Sequence, residues 1–371
     1  MSIHPDARSL IFDAQQLHRV TTAVFVAAGA PEDIALEMSD GLVEANLAGH
    51  DSHGVLRIPE YIGGIEDGRI DPRARPTVVT ETRTSALVDG NWAFGQVSAR
   101  FATDLAIAKA KDAKTAVISL VRCNHIGQLG RWSGRAAAQD VIALIVWGGR
   151  GGSTSPQPLA MAPYGGAERA FGTNPIAIGL PGGDTPDVVV DFATAVIAEG
   201  KLRVHRAEGT DLPAGCILDK EGRPSVDPND FYDGGVLLPF GGHKGYALAM
   251  FIEMLCGAFS PGDQYNGNGR RGSVVVWAVD ACAFRSRASY TDNANFVIGR
   301  VKGMRPAQGF DEVLIPGEPE IRSKAARLKD GILISQTTWD RIIDAGRRVG
   351  VDVDLIVGGG MATHAVDGHQ S

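Results

Sequence analysis

The sequence predicts an α+β fold: a mixed sheet in a central segment of roughly residues 78–290, with a helical domain assembled from both chain ends. Three observations carry it. Apolar residues recur at intervals of three and four near both ends, which is the helical period. Between them a β-α-β-α-β run covers residues 85–147, which taken alone invites a doubly wound guess. Past it, strand-like runs follow one another without helices, and consecutive strands imply antiparallel pairing, so the sheet is mixed.

Taken in order, Asp13 caps a first helix whose apolar residues Leu17, Val20, Val24 and Ala28 share a face and stop at Gly29. Pro31 sits where the first turn of a second helix tolerates it, with Ile34, Met38, Leu42 and Ala45 on one face and an end near Gly49. The central run then reads as strand Ser85–Asp89, helix Val97–Ala113, strand Ala116–Val121, helix Gly127–Gln139 and strand Val141–Trp147. Strand-like runs follow at Ile176–Leu180, Val188–Asp191 and Cys216–Asp219, then an apolar helix Tyr246–Phe259 and a strand Ser273–Val279. From Ser323 the chain is helical again, with Arg341–Val349 amphipathic. The expected division is residues 1–77 with 291–360 as the helical domain, 78–290 as the α+β domain, and 361–371 as a disordered tail.

Composition narrows the class. The chain has 371 residues, enough for two or three domains and a sizeable core. With 36 basic against 43 acidic residues, its net charge of −7 argues against nucleic-acid binding. No apolar run reaches the ~18 residues of a membrane span, and Asp6 and Asp13 are out of place in a signal peptide. The four cysteines are scattered without C-x-x-C spacing, so neither a disulfide framework nor a zinc ribbon is expected. The expected compartment is the cytoplasm. Glycine is the outlier, at 47 residues, gathered in short runs that let backbone approach a ligand or simply punctuate loops.

One glycine motif misleads. Residues 267–272 match G-x-G-x-x-G, yet a helix precedes them and a strand follows, the reverse of the dinucleotide-binding order. The fold is therefore not expected to be of the Rossmann type.

The densest polar cluster is His50-Asp51-Ser52-His53-Gly54, followed by Arg57 and Tyr61 at steps of four. On a helix that spacing aligns an imidazole, a guanidinium and a phenol on one face, although Pro59 complicates a continuous helix. Arg57 could grip a small carboxylate as a fork while His53 handles a proton. Alternatively, Ser52 only caps a helix, or His50 and His53 form a metal pair. His125 lies where a strand meets the next helix, at a strand carboxyl end where α/β layers bind ligands; it is either a general base or a solvated loop residue. Asp191 ends a strand among small residues, where it could orient a histidine, hold a ribose hydroxyl or cap. Gly241-Gly242-His243-Lys244-Gly245 opens a helix and reads as an anion site or as a surface turn. G-x-S-x-G is absent, so nothing supports a Ser nucleophile, and no H-E-x-x-H or cysteine cluster supports a structural metal.

The order of these motifs resembles the type-2 malate/L-lactate dehydrogenase family, NAD(P)-dependent oxidoreductases distinct from the Rossmann lactate dehydrogenases. The resemblance rests on Asp51–Arg57 with Tyr61, Asn124-His125, Ala162–Gly166, Phe171–Pro175, Asp191–Thr194, Gly241–Tyr246 and Pro316–Pro319, together covering residues 10–350. It implies a cofactor domain with a largely antiparallel mixed sheet, a helical domain from both ends, and a homodimer with active sites near the interface. It also implies a small 2-hydroxy or 2-oxo acid substrate and either NAD or NADP. His53 and His125 would be the active-site histidines, with Ser52, Arg57 and Tyr61 beside the substrate. Cofactor contacts would come from Gly148, Gly149, Thr173, Asn174, Asp191, Phe192, Ala193, His243, Lys244, Gly317 and Glu318. A family subgroup reduces cyclic imino acids such as piperideine-2-carboxylate, which is the alternative activity. Phe192 stands where Met is common and Ala195 where Ser is common.

Overall fold

A computed structural model describes residues 9–149, 159–266 and 272–358. The glycine-rich motif at 267–271, most of the run at 148–152 and the tail at 361–371 lie outside those residues.

The chain opens with strand β1 (Ser9–Phe12), then α1 (Ala14–Ala27) and α2 (Glu32–Leu47). Asp13 caps α1 as its position predicts: its carboxylate accepts from the Gln16 amide at 2.7 Å, and the Gln16 side chain accepts from the Asp13 amide at 2.9 Å. Two 3₁₀ turns, Asp51–His53 and Val55–Arg57, lead into α3 (Ile58–Glu66).

The central unit begins with β2 (Thr77–Glu81) and β3 (Ser85–Asp89), then α4 (Gly95–Ala113), β4 (Thr115–Val121), α5 (Leu129–Ala137) and β5 (Val141–Gly148). It continues through β6 (Ile176–Leu180), β7 (Val188–Phe192), α6 (Glu199–Glu208), β8 (Ile217–Leu218), β9 (Pro224–Ser225), α7 (Pro228–Tyr232) and β10 (Val236–Leu237). Helix α8 (His243–Met254) runs into a π turn at Leu255–Phe259, followed by α9 (Gly262–Tyr265) and β11 (Ser273–Asp280). The chain closes with α10 (Arg287–Lys302), α11 (Glu318–Asp330), β12 (Ile332–Ser335), α12 (Gln336–Arg348) and α13 (Val353–Val357).

Among the described residues the main sheet has seven strands in the order β2-β3-β4-β11-β5-β6-β7. Only β3 and β4 pair in parallel; every other pairing is antiparallel. The sheet is thus mixed and not doubly wound. Strands β4 and β5 do run the same way, but β11, far later in sequence, lies between them antiparallel to both.

Strand alternation builds three layers. Val274, Val276 and Ala278 of β11, with Val141, Ala143 and Ile145 of β5, face the cluster under α4 and α5. Val275 and Val146 face the other way, against Ile252 and Cys256 of α8 and its π turn. A separate cluster joins α1, α2 and α3 to β12, α12 and α13, because β1 pairs antiparallel with β12. The boundary expected near 291 falls inside α10, whose bonds run to the central unit: Tyr290 donates to the Pro181 carbonyl, and Asn295 pairs with Asp184.

Several elements escaped the sequence reading. β1 and β12 are four-residue strands whose partners sit at the opposite chain end. β2 is exposed throughout and shows no alternation, and α6 lies between the strand-like runs taken as consecutive.

Candidate active site

The loop carrying His53 is shaped by Gly54 and Asn46. Gly54 is extended, so the helical face expected through residues 53, 57 and 61 is broken into two 3₁₀ turns before α3 starts. A Cβ on Gly54 would sit 2.2 Å from the Asn46 side chain. Asn46 accepts from the Val55 amide at 2.8 Å and donates to the Asp51 carboxylate at 2.6 Å. Arg327 of α11 grips that carboxylate through both terminal nitrogens, at 2.6 and 2.9 Å, so the far chain end pins the loop. Pro59 falls in the first turn of α3, where its missing N–H costs no intrahelical bond.

His125 arrives from the other side, on the loop after β4. Asn124 donates to the carbonyls of Arg69, Trp92 and Ala93, which fixes that loop. The rings of His53 and His125 stack with centroids 5.4 Å apart and planes inclined by 18°. Tyr61 places its hydroxyl 2.8 Å from His125 Nδ1, and the Ser52 hydroxyl lies 3.0 Å from His53 Nδ1, capping no helix. Trp147 flanks His125 at a centroid distance of 6.1 Å. Five residues named from the sequence, Ser52, His53, Arg57, Tyr61 and His125, thus meet in one place.

Electrostatics distinguish them. Burial, with help from the Arg57 and His50 charges, pulls His53 down to about 4, so it is neutral near pH 7. Burial pushes the Tyr61 phenol well above its usual range, so it stays protonated. Arg57 is partly engaged: Nε donates to the Ser52 carbonyl at 2.7 Å and Nη1 to Glu60 at 2.5 Å, which leaves Nη2 for an anion. His50 reaches Glu320 at 3.3 Å, so the two neighbouring histidines engage different partners. Among the described residues no group of three His, Cys, Asp or Glu is placed to hold a metal ion.

A cleft of about 260 Å³ is lined by Gln128, Gly130, Arg131, Asp191, Gly317 and the His50-bonded Glu320 among others. Asp191 accepts from the Gly130 amide at 2.7 Å; burial nevertheless raises its carboxyl to about 6, against that bond and the His50 charge. Gly317 needs its positive φ of 101°, and a Cβ there would crowd the β7 backbone. Glu318 is turned inward, bonding Lys302 and the Ile315 amide.

The remaining predicted residues gather around α8. Asn174 is buried and donates to Glu253 at 2.9 Å and to the Ala249 carbonyl. The Thr173 carbonyl accepts from the backbone and hydroxyl of Thr194, just past Ala193. Phe192 packs edge-on against Phe240, and His243 against Tyr164. Lys244 is exposed and makes no ion pair among the described residues, while the Lys244 and Gly245 amides already bond to the preceding turn. Side chains at Gly148 and Gly149 would collide with Ile252 and the Cys256 backbone, so packing alone accounts for both glycines. The sequence reading passed over Glu253, whose signal was a lone carboxylate in an apolar helix, and Glu320 and Trp147, which carry no local signal.

The malate/L-lactate dehydrogenase family model matches residues 12–343. The chain belongs to this family. It is accordingly an oxidoreductase of the 2-hydroxy-acid dehydrogenase type. It is 36% identical to the L-sulfolactate dehydrogenase of Methanocaldococcus jannaschii over 88% of this chain and 93% of that one. The structure of that relative superposes with a TM-score of 0.82, covering 93% of this chain and 98% of the other. Hydroxycarboxylate dehydrogenase B of Escherichia coli is 34% identical over 93% of this chain and 96% of its own. A more distant relative, the Δ1-pyrroline-2-carboxylate/Δ1-piperideine-2-carboxylate reductase of Pseudomonas syringae, is 29% identical over 91% of this chain and 97% of its own. Malate/L-lactate dehydrogenase relatives thus span almost the whole chain, and no helix among the described residues is long and apolar enough to cross a membrane.

Proposed function

We propose that the stacked pair His53–His125, with Tyr61, Arg57 and Ser52, is where hydride passes between C2 of a small 2-hydroxy or 2-oxo acid and NAD or NADP. The observation that carries this is the meeting of two imidazoles, one of them bonded to a buried phenol, beside a guanidinium with an uncommitted nitrogen. The cleft at Asp191 offers an acceptor carboxylate for cofactor hydroxyls and the Gly317 backbone at its wall, and Lys244, exposed at the start of α8 outside that cleft's lining, would offer its ammonium to a phosphate. When bound, the cofactor supplies the hydride acceptor or donor.

Arg57 holds the substrate carboxylate and fixes which face of C2 is presented, an orientation effect. His125 exchanges the substrate oxygen's proton through Nε2, because Tyr61 holds Nδ1; acid–base help of this kind is worth roughly 10²- to 10⁴-fold. His53, neutral near pH 7, packs on the His125 ring and limits its tilt. The reading extends to a homodimer in the cytoplasm, for which the acidic charge, scattered cysteines and family resemblance are the support.

The test is an absorbance assay at the reduced-nicotinamide band, crossing NADH and NADPH with oxaloacetate, pyruvate, a branched 2-oxo acid and piperideine-2-carboxylate. Turnover of any 2-oxo acid supports the proposal and assigns the cofactor. Turnover of the imine alone transfers the protein to the reductase reading, for which the Pseudomonas syringae relative is the support. Unchanged turnover in His125→Asn would sink the assignment of the acid–base group.

A further inference from the structure

Three elements build the cleft at Asp191. Strand β7, at the edge of the main sheet, brings Asp187, Val189 and Asp191 to one face by strand alternation. Helix α5 meets that face through Gly130 and Gly134, whose missing side chains keep the cleft open. A Cβ on Gly130 would stand 3.0 Å from Asp191 Oδ2, and one on Gly134 3.4 Å from the Val189 side chain. The start of α11 completes the wall with Gly317, Glu320 and Ile321. Val189, Ile321 and the glycines offer an apolar slot for the face of a base or the carbons of a ribose. The charged lining is one-sided: among the described residues it has four carboxylates, Glu44, Asp187, Asp191 and Glu320, and one cation, Arg131.

That cation is already engaged. Arg131 Nη1 donates to the Gln96 side chain at 3.1 Å, and its other nitrogens face Glu37 and Glu44 at 3.6 Å each. Helix starts are where a phosphate would ordinarily bind, and both of those at the cleft are occupied. At α5 the Gly130 amide donates to the Asp191 carboxylate at 2.7 Å. At α11 the Glu318 amide bonds the Ile315 carbonyl, Pro319 has no N–H, and the acidic Glu318 and Glu320 stand in the first turn. Asp187 and Asp191 accept from backbone amides and meet no cation among the described residues. A hydroxyl entering here finds acceptors, whereas a phosphate finds charge of its own sign.

We propose that this cleft selects NAD over NADP, taking ribose hydroxyls through its carboxylates and excluding the 2′-phosphate. The selection rests on the reading of the cleft as the cofactor site, and it names the cofactor. A ribose hydroxyl donates to a carboxylate, while a 2′-phosphate carries about −1.5 to −2 charges and needs donors or a cation instead. The cleft holds no uncommitted group of that kind among the described residues, so the phosphate would lose its water without replacement. The pyrophosphate is common to both cofactors and does not bear on the choice.

The experiment titrates the full chain with NADH and with NADPH, without substrate, and follows the fluorescence of the reduced cofactor. It is run at about pH 8, above the value of about 6 at which Asp191 titrates. The Kd for NADPH is expected to exceed that for NADH by about 100-fold or more, since like charges are brought together. Salt screens that repulsion, so the ratio should shrink several-fold as sodium chloride rises to about 1 M. Asp187→Asn keeps an acceptor for the Gly182 amide but removes one charge, and should lower the ratio about 10-fold. Reading a ratio cancels any general loss of affinity, and the wild-type salt series decides the matter if the variant does not fold. Equal or tighter binding of NADPH overturns the proposal, as does a ratio unmoved by salt. Preferential binding of NADH without turnover of any 2-oxo acid supports the selection and removes only the proposed reaction. Binding of neither cofactor overturns the cofactor site and the selection together.

Discussion

At His125 one ring nitrogen is committed to a buried phenol, and that commitment decides what the residue can do. Replacing Tyr61 by Phe removes the 2.8 Å bond while keeping the ring packing. We expect kcat to fall roughly 10- to 100-fold with KM nearly unchanged, since the lost contact touches the proton carrier and not the substrate. Arg57→Lys should act the other way, raising KM for the acid about 10-fold, because an ammonium cannot reproduce the fork geometry; steady-state kinetics on both variants separate the two roles. Asp191 gives a test independent of turnover. Its carboxyl titrates near 6 when folded against an ordinary 3.8, so the native state holds the proton more tightly than the unfolded chain. Stability from this group is therefore full below the ordinary value and is lost as pH rises through 6. Asp191→Asn should be more stable than wild type above pH 6, by roughly 1–2 kcal/mol after allowance for the cleft's water. The two should converge below pH 4, as urea titrations at both pH values would show.

Among the elements, the parts of the site ride on rigid neighbours. His125 follows a central strand, Asp191 ends β7, and α8 lies across the sheet from α4 and α5. Helix α5 presses so closely on β6 that a Cβ at Gly179 would fall 2.1 Å from the Ser133 carbonyl oxygen. Gly179→Ala must push the helix outward, and with it Gly130, which bonds Asp191. The expected cost is about 3 kcal/mol in chemical denaturation, accompanied by weakened cofactor binding in titration. Unchanged values for both would show that the layer yields without strain.

At the scale of the molecule, the two chain ends close on each other and hold the loop that carries His53 from behind. β1 pairs with β12, Trp339 stacks 4.1 Å from Phe12, and Arg327 grips Asp51 two residues before His53. Trp339 is fully buried, so Trp339→Ala should cost about 3–5 kcal/mol. Hydrogen exchange should accelerate first in β1, α1 and α12, while the amides between β5 and β11 stay protected. Uniform acceleration through the main sheet would mean that the two cores unfold as one.

What the sequence by itself determined follows from local physics. The cap at Asp13 and the strands at 141–147 and 176–180 are set by neighbours within a few residues. The motif residues around His53 and His125 were also legible, because unusual polar side chains stand out in short segments. Only the tertiary structure decided the rest. The insertion of β11 between β4 and β5, the pairing of β1 with β12, and the bonds from Arg327 to Asp51 and from Asn174 to Glu253 all join distant segments. No spacing in the chain encodes them, since they depend on which apolar faces bury together once the layers form.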